Sequence, residues 1–235
     1  MALLEVSHIT KSYGNNKVLD DVTFSIPKGK IVGLLGPNGS GKTTLIKLIN
    51  DLLKEDSGTI KVNGLDLGVE TKKIISYLPD KNYLNNNMTV LELLNYFKDF
   101  YEDFRIDKAK ELIGKLDLDL NQKLKTMSKG TKEKVQLILV MSRKAKLYIL
   151  DEPIGGIDPA ARDYIINTIL TNFSDDASLL ISTHLISDLE KVLDEIIFLK
   201  NGKVVRSGST DEIRKETKLS INDLFREEFK CYVNY

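Results

Sequence analysis

A single cysteine, Cys231, among 235 residues leaves no internal disulfide to form. A reducing compartment fits such a chain best, and Cys231, close to residue 235 with no cluster around it, reads as structural or incidental. Long hydrophobic runs are also missing. The longest apolar patches, such as Ile196-Ile197-Phe198-Leu199, are strand-sized, far short of the roughly 18 residues that cross a bilayer. Nor does a secretory leader open the sequence, since Met1-Ala2-Leu3-Leu4 meets Glu5 at once. A soluble protein is expected, with any membrane role supplied by a partner. Net charge is absent too: Lys+Arg and Asp+Glu both number 34. That argues against a general nucleic-acid-binding surface. There is no internal repeat and no low-complexity linker. The length suits one large domain, or a core with a subdomain, and can bury a sizeable core.

What is present is organised around Gly36-Pro37-Asn38-Gly39-Ser40-Gly41-Lys42-Thr43. The apolar run Ile31-Val32-Gly33-Leu34-Leu35 before it reads as a buried strand, and Thr44-Leu45-Ile46-Lys47-Leu48-Ile49 after it reads as a helix. Strand, G-x-x-x-x-G-K-T and helix make a P-loop. Its glycines let successive N–H groups turn inward onto a phosphate, and the helix start adds partial positive charge. Lys42 would reach the β- and γ-phosphates, and the Thr43 hydroxyl would hold Mg²⁺. An ordinary glycine-rich turn with a solvated lysine is the bland alternative, which the flanking strand and helix disfavour.

The rest of the chain falls into place around this loop. Leu4, Val6 and Ile9, then Val22, Phe24 and Ile26, mark two early strands, with Tyr13-Gly14 between them. A turn tyrosine is usually a packing residue, but one upstream of a P-loop could stack on an adenine ring. Residues 57–62 read as a strand ending at the Asn63-Gly64 turn, and 74–78 as another closed by Pro79-Asp80. From 85 to about 124 the period becomes helical. Thr89-Val90-Leu91-Glu92 fits a capping box, Val90, Leu93, Leu94 and Phe97 share a face, and a second helix is expected over 107–116. The aromatics Tyr96, Phe97, Phe100, Tyr101 and Phe104 read as packing a core or a partner surface. Alternation then returns: helix 132–141, strand 147–150, an Asp158-Pro159 cap opening a helix to 172, strand 179–182, helix 187–194, and a hairpin over 195–207 turning at Asn201-Gly202. The expected fold is α/β: a P-loop nucleotide-hydrolase core with a mostly parallel sheet (1–84 and 125–210), an antiparallel β subdomain, a helical subdomain inserted at 85–124, and a short helical tail at 211–235.

Four further pieces carry chemistry. Leu147-Tyr148-Ile149-Leu150-Asp151-Glu152 is an apolar strand ending in two acids, at the end where α/β sheets bind ligands. Asp151 would hold Mg²⁺ directly or through water, and Glu152 would polarise the attacking water as general base. Alone, this could be a solvated acidic turn. Met127-Ser128-Lys129-Gly130-Thr131 precedes a helix, so Ser128, the Gly130 backbone and the helix start form an anion site, though serine and glycine also serve as plain caps. Gly155-Gly156-Ile157-Asp158 follows the acid pair. His184, after Ser182-Thr183, is either a surface histidine or a sensor of the γ-phosphate.

The order P-loop, Ser-x-Gly, apolar strand with Asp-Glu-Pro, Gly-Ile-Asp-Pro and Ser-Thr-His resembles the ATP-binding-cassette (ABC) ATPases, from Tyr13 to the Asn201 hairpin. That resemblance implies ATP and Mg²⁺ as cofactors. ATP would be bound by Tyr13 on the adenine, by Gly36 through Thr44 on the phosphates, and by Ser128, Gly130 and Asp158 across a dimer interface. Thr43, Asp80 and Asp151 would hold the metal, with Lys42, Glu152 and His184 catalytic. It further implies a head-to-tail homodimer or heterodimer, closed by ATP and reopened by hydrolysis. A separate integral membrane permease would dock on the helical insert, leaving the chain peripheral on the cytoplasmic face of the cell membrane. No nucleic acid is expected as a partner. Three departures stand out. Lys129 and Thr131 replace a glycine and a glutamine of the family signature. Asp80 stands where the family has glutamine, which touches the coupling to the permease. Ile154 replaces a common threonine. The segment Leu219-Ser220-Ile221-Asn222-Asp223-Leu224-Phe225 is similar to the closing pattern of exporter-type subunits, so export is the expected direction. A soluble ABC ATPase acting as a mechanical switch in assembly, and a nucleotide-dependent interaction module with little hydrolysis, are the alternatives. Glu152 argues against the latter.

Overall fold

A computed structural model describes residues 2–155, 159–173 and 176–230. The chain opens with β1 (Ala2–Tyr13) and β2 (Asn16–Pro27), then β3 (Ile31–Leu35), which feeds α1 (Lys42–Ile49). Next come β4 (Ser57–Val62), a short β5 (Leu65–Asp66), α2 (Val69–Ile74) and β6 (Ile75–Leu78). A helical stretch holds α3 (Val90–Phe100), α4 (Ile106–Gly114) and α5 (Lys129–Met141). Then follow β7 (Leu147–Asp151), α6 (Pro159–Asn172), β8 (Ser178–Thr183) and α7 (Ile186–Leu189). The hairpin of β9 (Glu195–Lys200) and β10 (Lys203–Ser209) leads to α8 (Thr210–Thr217) and α9 (Ile221–Glu228).

Two sheets result. One runs β2-β1-β4-β5, antiparallel throughout. The other runs β10-β9-β3-β8-β7-β6, parallel from β9 to β6 with an antiparallel edge at β10. Every residue of β7 and β8 is buried, as expected for parallel strands covered on both faces. The acid and hydroxyls nearest the ligand-binding edge, Asp151, Ser182 and Thr183, fall at the C-terminal ends of these two strands. The order places the loops after β3, β7 and β8 side by side at the C-terminal edge, where open α/β sheets bind ligands.

The core has three parts. Leu4, Val6, Ile9 and Phe24 of the antiparallel sheet pack with Val32, Leu34 and the α1 residues Leu45, Ile46, Leu48 and Ile49 against one face of the parallel sheet. The other face is covered by α5, α6, α7 and the tail, including Ile213, Ile221 and Leu224. A third cluster joins Val90, Leu93, Leu94, Phe97, Phe104, Ala109 and Leu112 to Val135, Ile138 and Leu139 of α5. Helix α5 thus serves two clusters and joins the inserted helices to the sheet.

The structure corrects several sequence expectations. Helix α2 was not anticipated, and β6 starts at Ile75 rather than 74, because Gly68 opens a helical turn there through its Thr71 partner. Helix α5 starts at Lys129, three residues before the expected 132, since Ser128 caps it by accepting from Thr131 N at 3.1 Å. The expected helix over 187–194 shrinks to Ile186–Leu189. The insert loses helical form after Lys115, apart from a 3-10 turn at Leu124–Thr126. The aromatic set divides: Phe97 and Phe104 are buried, whereas Tyr96 and Phe100 are exposed. The Asp158 cap and Cys231 lie outside the described residues.

Candidate nucleotide and acid-pair site

The P-loop is held open by its neighbours. Gly41 opens α1 with φ +108, and a Cβ there would sit 2.8 Å from Leu19 Cδ2. Only glycine meets both demands. The turn of the β9–β10 hairpin closes on the loop's outer side: Gly202 N donates to Ser40 O at 3.1 Å, and Asp20 N donates to Gly202 O at 2.9 Å. A cleft of ≈ 380 Å³ is lined by Asn38, Gly39, Gly41, Lys42, Thr43 and Thr44, together with Val18, Asp80 and Glu152. Of the other loop residues, Gly36 and Ser40 are buried and Pro37 is exposed. The carbonyls of Gly36 and Pro37 accept from Lys42 Nζ at 2.7 and 3.2 Å. Burial lowers the Lys42 pKa, opposed by the carboxylates of Glu152 and Asp151. The ammonium is therefore partly desolvated and aimed along the floor of a phosphate-sized cradle.

At the end of β7, Asp151 is buried and accepts from the Ser182 hydroxyl on Oδ1, while its Oδ2 has no hydrogen-bond partner. Burial pushes its pKa up, against the hydroxyls of Ser182 and Thr43, which favour the carboxylate. An orphaned carboxylate oxygen beside the Thr43 hydroxyl fits a hard cation. Among the described residues no three acidic or histidine side chains gather into a cage. Mg²⁺ suits such a site, because it keeps several waters and binds through one or two carboxylates plus phosphate oxygens.

Glu152 has φ +51, a left-handed backbone that costs a non-glycine residue about 1–3 kcal/mol. Its N–H is anchored on Ser182, 3.0 Å from the carbonyl oxygen and 3.1 Å from the hydroxyl. The turn aims the side chain across the cleft. Oε1 lies 3.5 Å from Lys42 Nζ, and Oε2 lies 3.0 Å from His184 Nδ1. The structure thus brings together Lys42, Thr43, Asp80, Asp151, Glu152 and His184. Ser182, which fastens both acids to β8, was part of the Ser-Thr-His motif but was given no role from sequence. Its signal was its place immediately before Thr183-His184 on a strand neighbouring the acids.

The remaining candidates are elsewhere. Tyr13 ends β1 with half of its surface exposed. Ser128 and Gly130 lie outside the cleft, at the exposed start of α5, where the Ser128 hydroxyl is 2.8 Å from that of Thr131. The space around Gly130 is open. Asp158 falls outside the described residues.

Comparison with known proteins agrees with this geometry. The sequence profile of the family "ABC transporter" matches residues 19–155. The ABC transporter ATP-binding protein YtrB of Bacillus subtilis is 32% identical over 217 residues, 91% of this chain and 74% of its own length. The SkfA peptide export ATP-binding protein SkfE of the same organism is 32% identical over 212 residues, covering 88% of this chain and 89% of its own. A solved ATP binding subunit of an ABC transporter superposes with TM-score 0.88 at 33% identity, covering 97% of this chain and all of that one. With a P-loop cleft, an acid pair at its edge and these relatives, the chain belongs to the ABC transporter family, as an ATP-binding subunit.

Proposed function

We infer that this subunit hydrolyses ATP as one half of a head-to-tail pair, and that closing and reopening of the pair drives export through a separate membrane permease. The observation that carries this reading is the Glu152 carboxylate, held between Lys42 and His184 at the rim of the P-loop cleft. A base beside a phosphate cradle serves hydrolysis rather than storage of nucleotide.

In this reading Tyr13 stacks on the adenine and residues 36–44 hold the phosphates. Thr43, Asp151 and the Asp80 loop face Mg²⁺, which when bound neutralises charge on the β- and γ-phosphates. ATP draws Lys42 Nζ from the carbonyls of Gly36 and Pro37 toward the phosphates. Glu152 takes the proton of the attacking water, and His184 keeps that carboxylate oriented. Ser128, Gly130 and Asp158 act on the nucleotide of the partner subunit. Ser128 lies outside its own cleft, so a second molecule is needed to supply an anion-binding helix start to the γ-phosphate. Closure then depends on the third phosphate, which gives each state its own affinity.

Residues 1–84 and 125–210 form the nucleotide-binding core in this account, 85–124 the permease-facing insert, and 211–235 the tail. A groove of ≈ 500 Å³ between α1, the β6 edge and the insert, lined by Tyr77, Tyr83, Phe100, Tyr101 and Lys47, offers the permease an apolar seat. Among the described residues no helix is long and apolar enough to cross a membrane, so the subunit is held at the inner membrane face by that partner. The export direction is supported by the exporter-like tail and by the printed function of SkfE. The test is paired. Lys42→Ala is expected to abolish measured ATP turnover, and tagged wild-type protein is expected to co-purify an integral membrane protein. Unchanged turnover contradicts the site, and capture of no membrane protein contradicts the transport role.

A further inference from the structure

Gln136 is the one residue of the buried run Val135–Met141 that is not hydrophobic. It is 2% exposed. A carboxamide can donate two hydrogen bonds and accept two, yet here Nε2 reaches only the carbonyls of Pro79 and Lys81, each at 3.5 Å, and Oε1 has no partner. Leaving such a group short of partners is unfavourable against an apolar residue of the same shape. Packing of α5 supplies no reason for it. Beside Gln136 lies a polar cavity of ≈ 30 Å³, also lined by Asp80, Asn82, Asp151 and Glu152. That is room for one or two waters. Two other walls carry buried acceptors without a hydrogen bond as well, Asp151 Oδ2 and Glu152 Oε1, the latter 3.5 Å from Lys42 Nζ. Asp80 and Glu152 line both this cavity and the P-loop cleft.

The geometry points to Gln136 as a positioning residue that holds water against the Glu152 carboxylate and fastens the Asp80 loop to α5. This assignment rests on the reading of Glu152 as the base. The amide oxygen accepts from a cavity water, which in turn donates to Glu152 and fixes the direction of its free lone pairs. In the reaction the attacking water's oxygen bonds to the γ-phosphorus and its proton passes to Glu152. The bond from that phosphorus to the β,γ-bridging oxygen breaks, its electron pair leaving with ADP. Gln136 is unchanged throughout. Because Ser128 caps α5, the same amide ties the helix that would meet the partner's nucleotide to the loop that would face the metal.

Gln136→Met keeps length and volume and removes both polar ends. In the full chain with ATP and Mg²⁺, kcat is expected to fall about tenfold or more. Nucleotide affinity should stay within about twofold, and the melting temperature should be unchanged or higher. Gln136→Glu keeps an acceptor in place and is expected to recover part of the lost kcat. A Gln136→Met kcat within about twofold of wild type overturns the proposal. So does a loss that tracks lowered melting temperature or lost nucleotide affinity, since a structural role alone would produce it. So does a Gln136→Glu variant no faster than Gln136→Met. Glu152→Gln run in parallel separates the two readings: if it turns over normally, the base assignment itself fails, whatever Gln136 does.

Discussion

Strands β6 and β7 run parallel, and buried charge sits at both of their ends in opposite states. At the N-terminal end, Arg143 is almost wholly buried, with each side-chain nitrogen hydrogen-bonded. It makes a two-pronged pair with Asp103, at 2.9 and 3.2 Å, donates to the carbonyls of Ile75 and Lys73, and lies 3.9 Å from the Tyr101 ring centre. Its own carbonyl accepts from the Tyr148 hydroxyl at 2.6 Å. Four of its five N–H donors are used, so the cluster locks the inserted helices onto the sheet. At the C-terminal end, Asp151, Glu152 and Gln136 each retain a buried oxygen without a hydrogen bond, and Glu152 holds a left-handed backbone. Charge that is well partnered builds a joint. Charge left short of partners is poised for ligand, and a chain keeps such local conflict where function requires it.

Substitutions at the two ends should therefore differ in kind. The largest effect is expected from Glu152→Gln, which should cut turnover by about 10²–10⁴-fold with the fold intact, read from steady-state ATPase rates beside a thermal melt. Arg143→Met should do the reverse. Leaving Asp103 and the carbonyls of Lys73 and Ile75 without their cation should cost about 3–5 kcal/mol, lowering the melting temperature by roughly 10 °C. A small shift would erase the contrast. Asp151→Asn should raise the stability of the nucleotide-free chain by about 1–3 kcal/mol while abolishing Mg²⁺-dependent turnover. The pH dependence follows from burial. Because the folded state raises the Asp151 pKa, it holds that proton more tightly than the unfolded chain. Wild type should then lose stability relative to Asp151→Asn as pH rises from the ordinary carboxylate value through the raised one. A gap that narrows with rising pH would contradict this. The smallest change in stability, within about 0.5 kcal/mol, is expected for Phe100→Ala on the exposed face of the insert. Its visible effect should be weaker recovery of the membrane partner.

The C-terminal end was the more legible of the two in the sequence. Glycine spacing, the Lys-Thr pair, and acids closing an apolar strand each have a local chemical reason, so Lys42, Thr43, Asp151 and Glu152 could be read without a fold. The parallel sheet was legible for the same reason: runs such as 147–150 and 179–182 are apolar on both faces. The joint was not, because Arg143 meets Asp103 forty positions away and Ile75 at a greater separation, and no local pattern marks either pairing. Gln136 was hidden inside a helix whose spacing looked ordinary. Helix α7 was overread because the apolar residues Val192 and Leu193 serve a turn that packs on the sheet rather than a continuing helix. The packing of the Asn201-Gly202 turn onto the P-loop depends on tertiary approach alone.

Small-angle scattering of the Glu152→Gln variant with and without ATP reads directly whether ATP joins two sites across Ser128, as proposed above. A monomer is expected without nucleotide, a dimer with ATP, and loss of that dimer when Ser128→Arg is added while nucleotide binding persists. A Glu152→Gln chain that stays monomeric at saturating ATP, or a dimer indifferent to Ser128→Arg, would contradict that proposal.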